Sequence, residues 1–160
     1  MSLLADIRVV DIAGHLAEAT GRVLADLGAE VVKVEPAHGC SSRHRGPFDV
    51  DGVSWHWRAW GRGKHSVLLD LDAPDGPHRL ATLLSTADVL VESADAGQRS
   101  RWGIEVDTVA ARFPSLVHVS VTPFGLTGPL MVEKSAGGRE RHVRGRTVGC
   151  LLYTSDAADE

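Results

Sequence analysis

The chain has little cysteine, few aromatics and no long apolar run, and each shortage removes a class of protein. Two cysteines in 160 residues, Cys40 and Cys150, cannot staple a small extracellular scaffold, and no CxxC pair is present for zinc or redox chemistry. A reducing, cytoplasmic setting is therefore expected. No stretch reaches the ~18 apolar residues of a membrane helix, and the opening MSLLADIR lacks the charged region and apolar core of a secretory signal. Positive charge is not in surplus either. Against 17 Lys and Arg stand 21 Asp and Glu, a formal charge of -4, which argues against general affinity for nucleic acid or anionic membranes.

What remains is the composition of one ordinary domain, 43% hydrophobic and 24% charged, long enough for a sizeable core. The organising stretch is Leu24 to Pro36, LADLGAEVVKVEP. Leu16, Ala19, Val23, Leu24 and Leu27 recur near helical spacing, Gly28 stands where a helix takes a left-handed cap, and Val31, Val32 and Val34 form a β-branched run. With the apolar strand Ile7 to Ile12 before it, this is a βαβ unit, which requires a parallel sheet. Ligands in such sheets bind beyond the carboxyl ends of the strands.

A long polar and aromatic loop follows Pro36, with a short helical turn at Trp55 to Trp60. Further strands are predicted at Ser66 to Leu71, Asp88 to Glu92 and Leu116 to Val121. Helices are predicted from Pro74, with Asp72 as N-cap, to about Thr86, at Gln98 to Trp102, and at Val106 to Phe113. The alternation predicts an α/β fold, a Rossmann-like parallel sheet with flanking helices.

From Gly137 the texture changes. Arg139, Arg141, Arg144 and Arg146 crowd into eight residues with no apolar period, and residues 150–160 read CLLYTSDAADE. A basic nucleic-acid arm is one reading. The preferred one is an artefact, since CLLYTSDAADE resembles the translation of a transposase sequencing adapter and Arg/Gly-rich text is common in out-of-frame GC-rich DNA. The expected organisation is thus a Rossmann-like portion over 1–136 and a tail over 137–160 to be excluded from fold reasoning.

Four stretches in order carry a family resemblance: residues 3–39, GRGKHSVLLDLDAPDG (61–76), ADVLVESADAGQRSRWGIEVDTVAARFPSLVHVSV (87–121) and FGLTGP (124–129). Together they resemble the amino-terminal part of the class III CoA-transferases, the family of formyl-CoA and carnitine CoA-transferases and α-methylacyl-CoA racemases. The resemblance implies transfer of CoA between carboxylic acids through an aspartyl-CoA intermediate, with acyl-CoA and a carboxylic acid as small-molecule partners and an interlocked homodimer as the assembly. Its nucleophilic aspartate would fall near Gly137, yet no Asp occurs from 108 to 155, and Glu133 and Glu140 are not aligned with it. The chain is accordingly expected to be an inactive amino-terminal fragment.

The resemblance also implies CoA-contacting residues. His15 and Leu16 stand where the family opens its first helix with Ala-Gly-Pro, here Leu16, Ala17 and Glu18. Arg62, Gly63 and Lys64 occupy the place of its Asn-Arg-Asn-Lys run, supplying backbone access and two charges. Ser93 lies in the counterpart of its Glu-Asn-Phe-Arg-Pro-Gly stretch and Arg101 matches the arginine after it. Arg43, with Arg45 nearby, follows the second strand where a phosphate role is plausible. The run GRGK is not a P-loop, because Arg58 stands where the first glycine belongs and His65 replaces the Ser or Thr. His38, Cys40 and His44 lack a standard zinc spacing, so no metal site is expected. Trp55, Trp57 and Trp60 read as a cover over the sheet edge. The rivals are an acyl-CoA racemase or isomerase of the same family, and a non-catalytic acyl-CoA or nucleotide-binding module.

Overall fold

The structure is a computed structural model that describes residues 2–122, residues 125–126 and the strand Cys150–Leu152. Its elements in order are β1 (Arg8–Asp11), α1 (Glu18–Asp26), β2 (Glu30–Glu35), a 3-10 turn (Ser41–His44), α2 (Trp55–Trp60), β3 (Lys64–Leu68), α3 (Gly76–Leu84), β4 (Val89–Glu92), α4 (Ala96–Trp102), α5 (Val106–Arg112), β5 (Val117–Val121) and β6 (Cys150–Leu152). The sheet order is β3-β2-β1-β4-β5-β6. The first five strands in this order pair in parallel, and β6 pairs antiparallel with β5. The Rossmann-like sheet is therefore present.

Alternate residues of each strand serve opposite faces. Val9, Val31 and Val91 pack with Ala13, Ala17 and Ala29 on the side covered by α1. On the other face Val10, Val34 and Leu90 meet Leu80 and Leu84 of α3 and Val109 of α5. Helix α1 ends in a Schellman motif: Gly28, at φ 98°, donates its N–H to Ala25 O at 2.9 Å, and Ala29 donates to Leu24 O at 3.0 Å. The chain then enters β2 at once, as the LGAE text predicts.

Several predicted boundaries move. Strand β3 is Lys64–Leu68 rather than Ser66 to Leu71, because β2 ends at Glu35 and supplies no ladder beyond the bond from Leu69 N to Glu35 O. Leu69 and Leu71 instead pack on the α3 side of the core. Helix α3 starts at Gly76, with Asp75 as its N-cap residue; Asp72 is not a cap, since its Oδ1 accepts from Trp102 Nε1 at 2.9 Å and Arg101 Nε at 3.2 Å. Helix α4 begins two residues early. Asp95 and Gln98 form a capping box there, each side chain accepting the other's backbone N–H.

Cys150–Leu152, within the tail set apart by texture, forms β6. An apolar triplet can pair with any open sheet edge, and β5 offers one. Gly128, Pro129 and Gly137, at or near which the family resemblance would put the Gly-Pro and the nucleophile, lie outside the described residues, as do Glu133, Glu140 and the arginine cluster.

Candidate functional site

Three strands end on a buried carboxylate. Asp11, Glu35 and Glu92 are the last residues of β1, β2 and β4, and all three are fully buried. Each turns back to accept an amide of the loop it precedes: Asp11 from Ala13 at 2.9 Å, Glu35 from Cys40 at 2.9 Å, and Glu92 from Ala94. Each is also paired with buried or half-buried cations. Asp11 holds Lys33 at 3.1 Å and Lys64 at 2.7 Å, Glu35 holds Arg43 through two bonds of 2.6 and 2.8 Å, and Glu92 lies 3.3 Å from Arg99. A buried charge is tolerated only when paired and hydrogen-bonded, and these meet both conditions. The carboxyl edge of the sheet is thus a row of fixed loops.

The strand order reverses between β1 and β4, the topological switch point of an open α/β sheet. The loops after these two strands face each other there, and Gly14 N donates to Ser93 Oγ across the gap at 2.7 Å. His15 and Leu16 follow Gly14 and are exposed, Leu16 by 44%, so an apolar side chain stands open to solvent at the mouth. The structure brings His15, Leu16 and Ser93 together.

The other predicted residues are placed differently. Arg62 and Gly63 form an exposed turn beside α1, with Gly63 at φ 80° and Arg62 O accepting from Arg22 at 2.9 Å. Lys64 is nearly all enclosed: its ammonium donates to Asp11 Oδ2 and to Glu18 O at 2.8 Å. Arg43 stacks on Trp57, 3.6 Å from the ring centroid, as well as pairing with Glu35. Arg101 is exposed and reaches Asp72 at 3.2 Å. Trp55 and Trp60 remain 53% and 39% exposed, while Trp57 anchors the long loop through Arg43.

Burial pushes the Glu35 carboxyl up, but hydrogen bonds from Arg43, Ser66 and Cys40 outweigh it and hold the pKa at about 2. Glu92 follows the same balance: burial pushes its carboxyl up, while the neighbouring His118 and Ser120 side chains, the Ala94 N–H and the charge of Arg99 give a net lowering. Burial raises the Cys40 thiol, so this cysteine is not an activated nucleophile. His44 Nε2 lies 2.7 Å from His38 O, and Cys40 Sγ 3.1 Å from Ser42 Oγ. Among the described residues no cluster of three His, Cys, Asp or Glu is placed to hold a metal, and no helix is long and apolar enough to cross a membrane.

Residues 4–140 match the profile of CoA-transferase family III. The chain belongs to that family. It is 36% identical over 134 residues to a succinate–glutarate CoA-transferase of Agrobacterium fabrum, covering 79% of this chain and 34% of that protein. It is 39% identical over 127 residues to the succinyl-CoA:(R)-benzylsuccinate CoA-transferase subunit BbsE of Thauera aromatica, covering 77% and 31%. In three dimensions it superimposes on a CAIB/BAIF family protein from Brucella suis with a TM-score of 0.72 at 35% identity, covering 79% of this chain and 35% of that one. The chain spans about a third of the length of the curated relatives it matches.

Within this family III chain, Asp11, Lys33, Glu35, Glu92 and Arg99 organise the site, and none was singled out from the sequence. A usable signal existed. Each carboxylate closes an apolar run, VVD, VKVE and VLVE, where an acid on a buried strand demands a partner.

Proposed function

We propose that this chain is the CoA-binding amino-terminal portion of a CoA-transferase that moves CoA between carboxylic acids. The observation that carries the reading is the junction of the Gly14–Leu16 loop with Ser93 at the switch point, where family membership and fold geometry coincide. His15, Leu16 and Ser93 would line the crevice. Exposed Leu16 suits the apolar stem of an acyl-CoA and exposed Arg101 its phosphates, whereas Arg62 and Gly63, which precede the first residue of parallel β3, lie at the amino edge of the sheet, away from this crevice. Arg43 and Lys64, already committed to Glu35 and Asp11, would act by holding those loops in place.

In the whole enzyme an aspartate would attack the acyl-CoA thioester, releasing CoA thiolate and leaving a mixed anhydride. The thiolate would then attack the aspartyl carbonyl, freeing the first carboxylate and forming an aspartyl-CoA thioester. An incoming carboxylate would attack the aspartyl-CoA thioester, expelling CoA thiolate and forming a second mixed anhydride, and the thiolate would attack the acyl carbonyl of that anhydride, giving the new acyl-CoA and freeing the aspartate. No Asp between 108 and 155 is available to serve, so the 160-residue chain would bind CoA without exchanging it. The homodimer and the cytoplasmic setting belong to the same proposal.

Isothermal titration of the chain with coenzyme A, followed by an exchange assay with succinyl-CoA and labelled succinate, tests this. Saturable binding with no label transfer is the expected outcome. Absence of CoA binding would remove the reading; transfer of label would remove the claim that the nucleophile is missing.

A further inference from the structure

We propose that Arg99 is a positioning residue for the switch-point crevice, acting through the loop after β4 on the Gly14–Leu16 segment. Arg99 is on α4, 7% exposed, and its Nη1 donates to Ala94 O at 2.7 Å while lying 3.3 Å from both Glu92 Oε1 and Ser120 Oγ. Glu92 in turn accepts the N–H of Ala94. The peptide groups on both sides of Ala94 are therefore gripped by one ion pair, the N–H by the carboxylate and the C=O by the guanidinium. Ser93, one residue earlier, accepts from Gly14 N.

The chain of contacts runs from α4 through Ala94 and Ser93 to the loop that presents His15 and Leu16. A buried arginine is costly unless it is paired and hydrogen-bonded, and the partners of Arg99 tie β4, β5 and the loop between β4 and α4 at one point. Among the described residues, the other titratable side chain facing Glu92 is His118 of β5, whose Nε2 is 3.6 Å from Glu92 Oε1. It faces the same carboxylate but reaches neither Ala94 nor Ser93 by a hydrogen bond among the described residues. Arg99 is the cation that touches the loop.

The consequence for CoA rests on the function proposed above; the consequence for the loops does not. Native-state amide exchange of the ligand-free chain, read by NMR, separates them. Arg99→Met is expected to speed exchange at both Ala94 and Gly14 by about tenfold, with core amides such as Val31 unchanged. Ser93→Ala should speed Gly14 alone, and the double variant should exchange at Gly14 no faster than Ser93→Ala. Arg99→Lys should restore part of the protection. A Gly14 amide that stays at the wild-type rate in Arg99→Met overturns the proposal. If Arg99→Met does not fold, Ser120→Ala removes one anchor of the guanidinium, and an unchanged Gly14 rate there overturns it equally. Titration with coenzyme A follows: Arg99→Met should bind about as weakly as Ser93→Ala. A wild-type chain that binds no CoA would sink the proposed function while the exchange result still decides the role of Arg99.

Discussion

The Nζ of Lys64 lies 2.7 Å from the Oδ2 of Asp11, joining residues 53 positions apart inside the protein. This pair fastens the edge strand β3 to the central strand β1, with β2 between them. Both side chains are almost wholly buried. Lys64→Met should therefore destabilise the chain by about 3–5 kcal/mol, because Asp11 would lose one of its two cations in a low-dielectric site. Urea unfolding measures it; a loss below about 1 kcal/mol would mean that Lys64 is not a structural cation.

Gly21 allows α1 to lie against that pair. A Cβ built there would stand 2.3 Å from Asp11 Oδ2 and 3.0 Å from Lys64 Nζ, closer than atoms approach without displacement. Gly21→Ala is expected to cost about 1–3 kcal/mol despite the better helix propensity of alanine. A thermal midpoint at or above wild type would contradict the close approach.

Glu35 sets an acid limit. Its pKa drops from 4.5 to about 2 on folding, so its stabilising contribution is complete above pH 4.5 and is lost as the pH falls toward 2. Glu35→Gln should lower stability at neutral pH and flatten the stability profile between those two values, the two proteins converging near pH 2. Parallel profiles across that window would show that Glu35 is not held ionised by Arg43 and Ser66.

Arg101 offers the opposite test. Its ion pair with Asp72 is exposed on both sides, and such pairs contribute about 0–1 kcal/mol. Arg101→Ala should leave the urea midpoint nearly unmoved, yet weaken CoA binding about tenfold at low salt, with the gap narrowing as salt rises. Unchanged CoA affinity would take Arg101 out of the phosphate site.

Much of the fold was legible because it depends on local chemistry. The run LADLGAEVV contains its own helix stop and strand start, and the Schellman bonds at Gly28 and Ala29 realise them. Trp55–Trp60 folds as predicted because Ser54 stands before it, accepting the N–H groups of His56 and Trp57. The shifted elements are those whose limits are set by distant partners. Strand β3 is trimmed by the end of β2, and Asp72 is drawn from capping by Trp102, thirty residues away.

The candidate site divides along the same line. The proposal of His15, Leu16, Ser93, Arg62, Gly63 and Arg101 as CoA contacts rests on their order in the chain, and that order says nothing of which cations are already paired. In the sequence Lys64 and Arg43 read as cations for CoA; in the structure they are already paired with buried Asp11 and Glu35. By itself the sequence determined the family, the parallel α/β architecture and the lack of an aspartate between 108 and 155, since these follow from motif order, periodicity and composition. Only the tertiary structure decided which charges are paired inside and which stay exposed, because pairing and desolvation arise between residues that the chain keeps far apart.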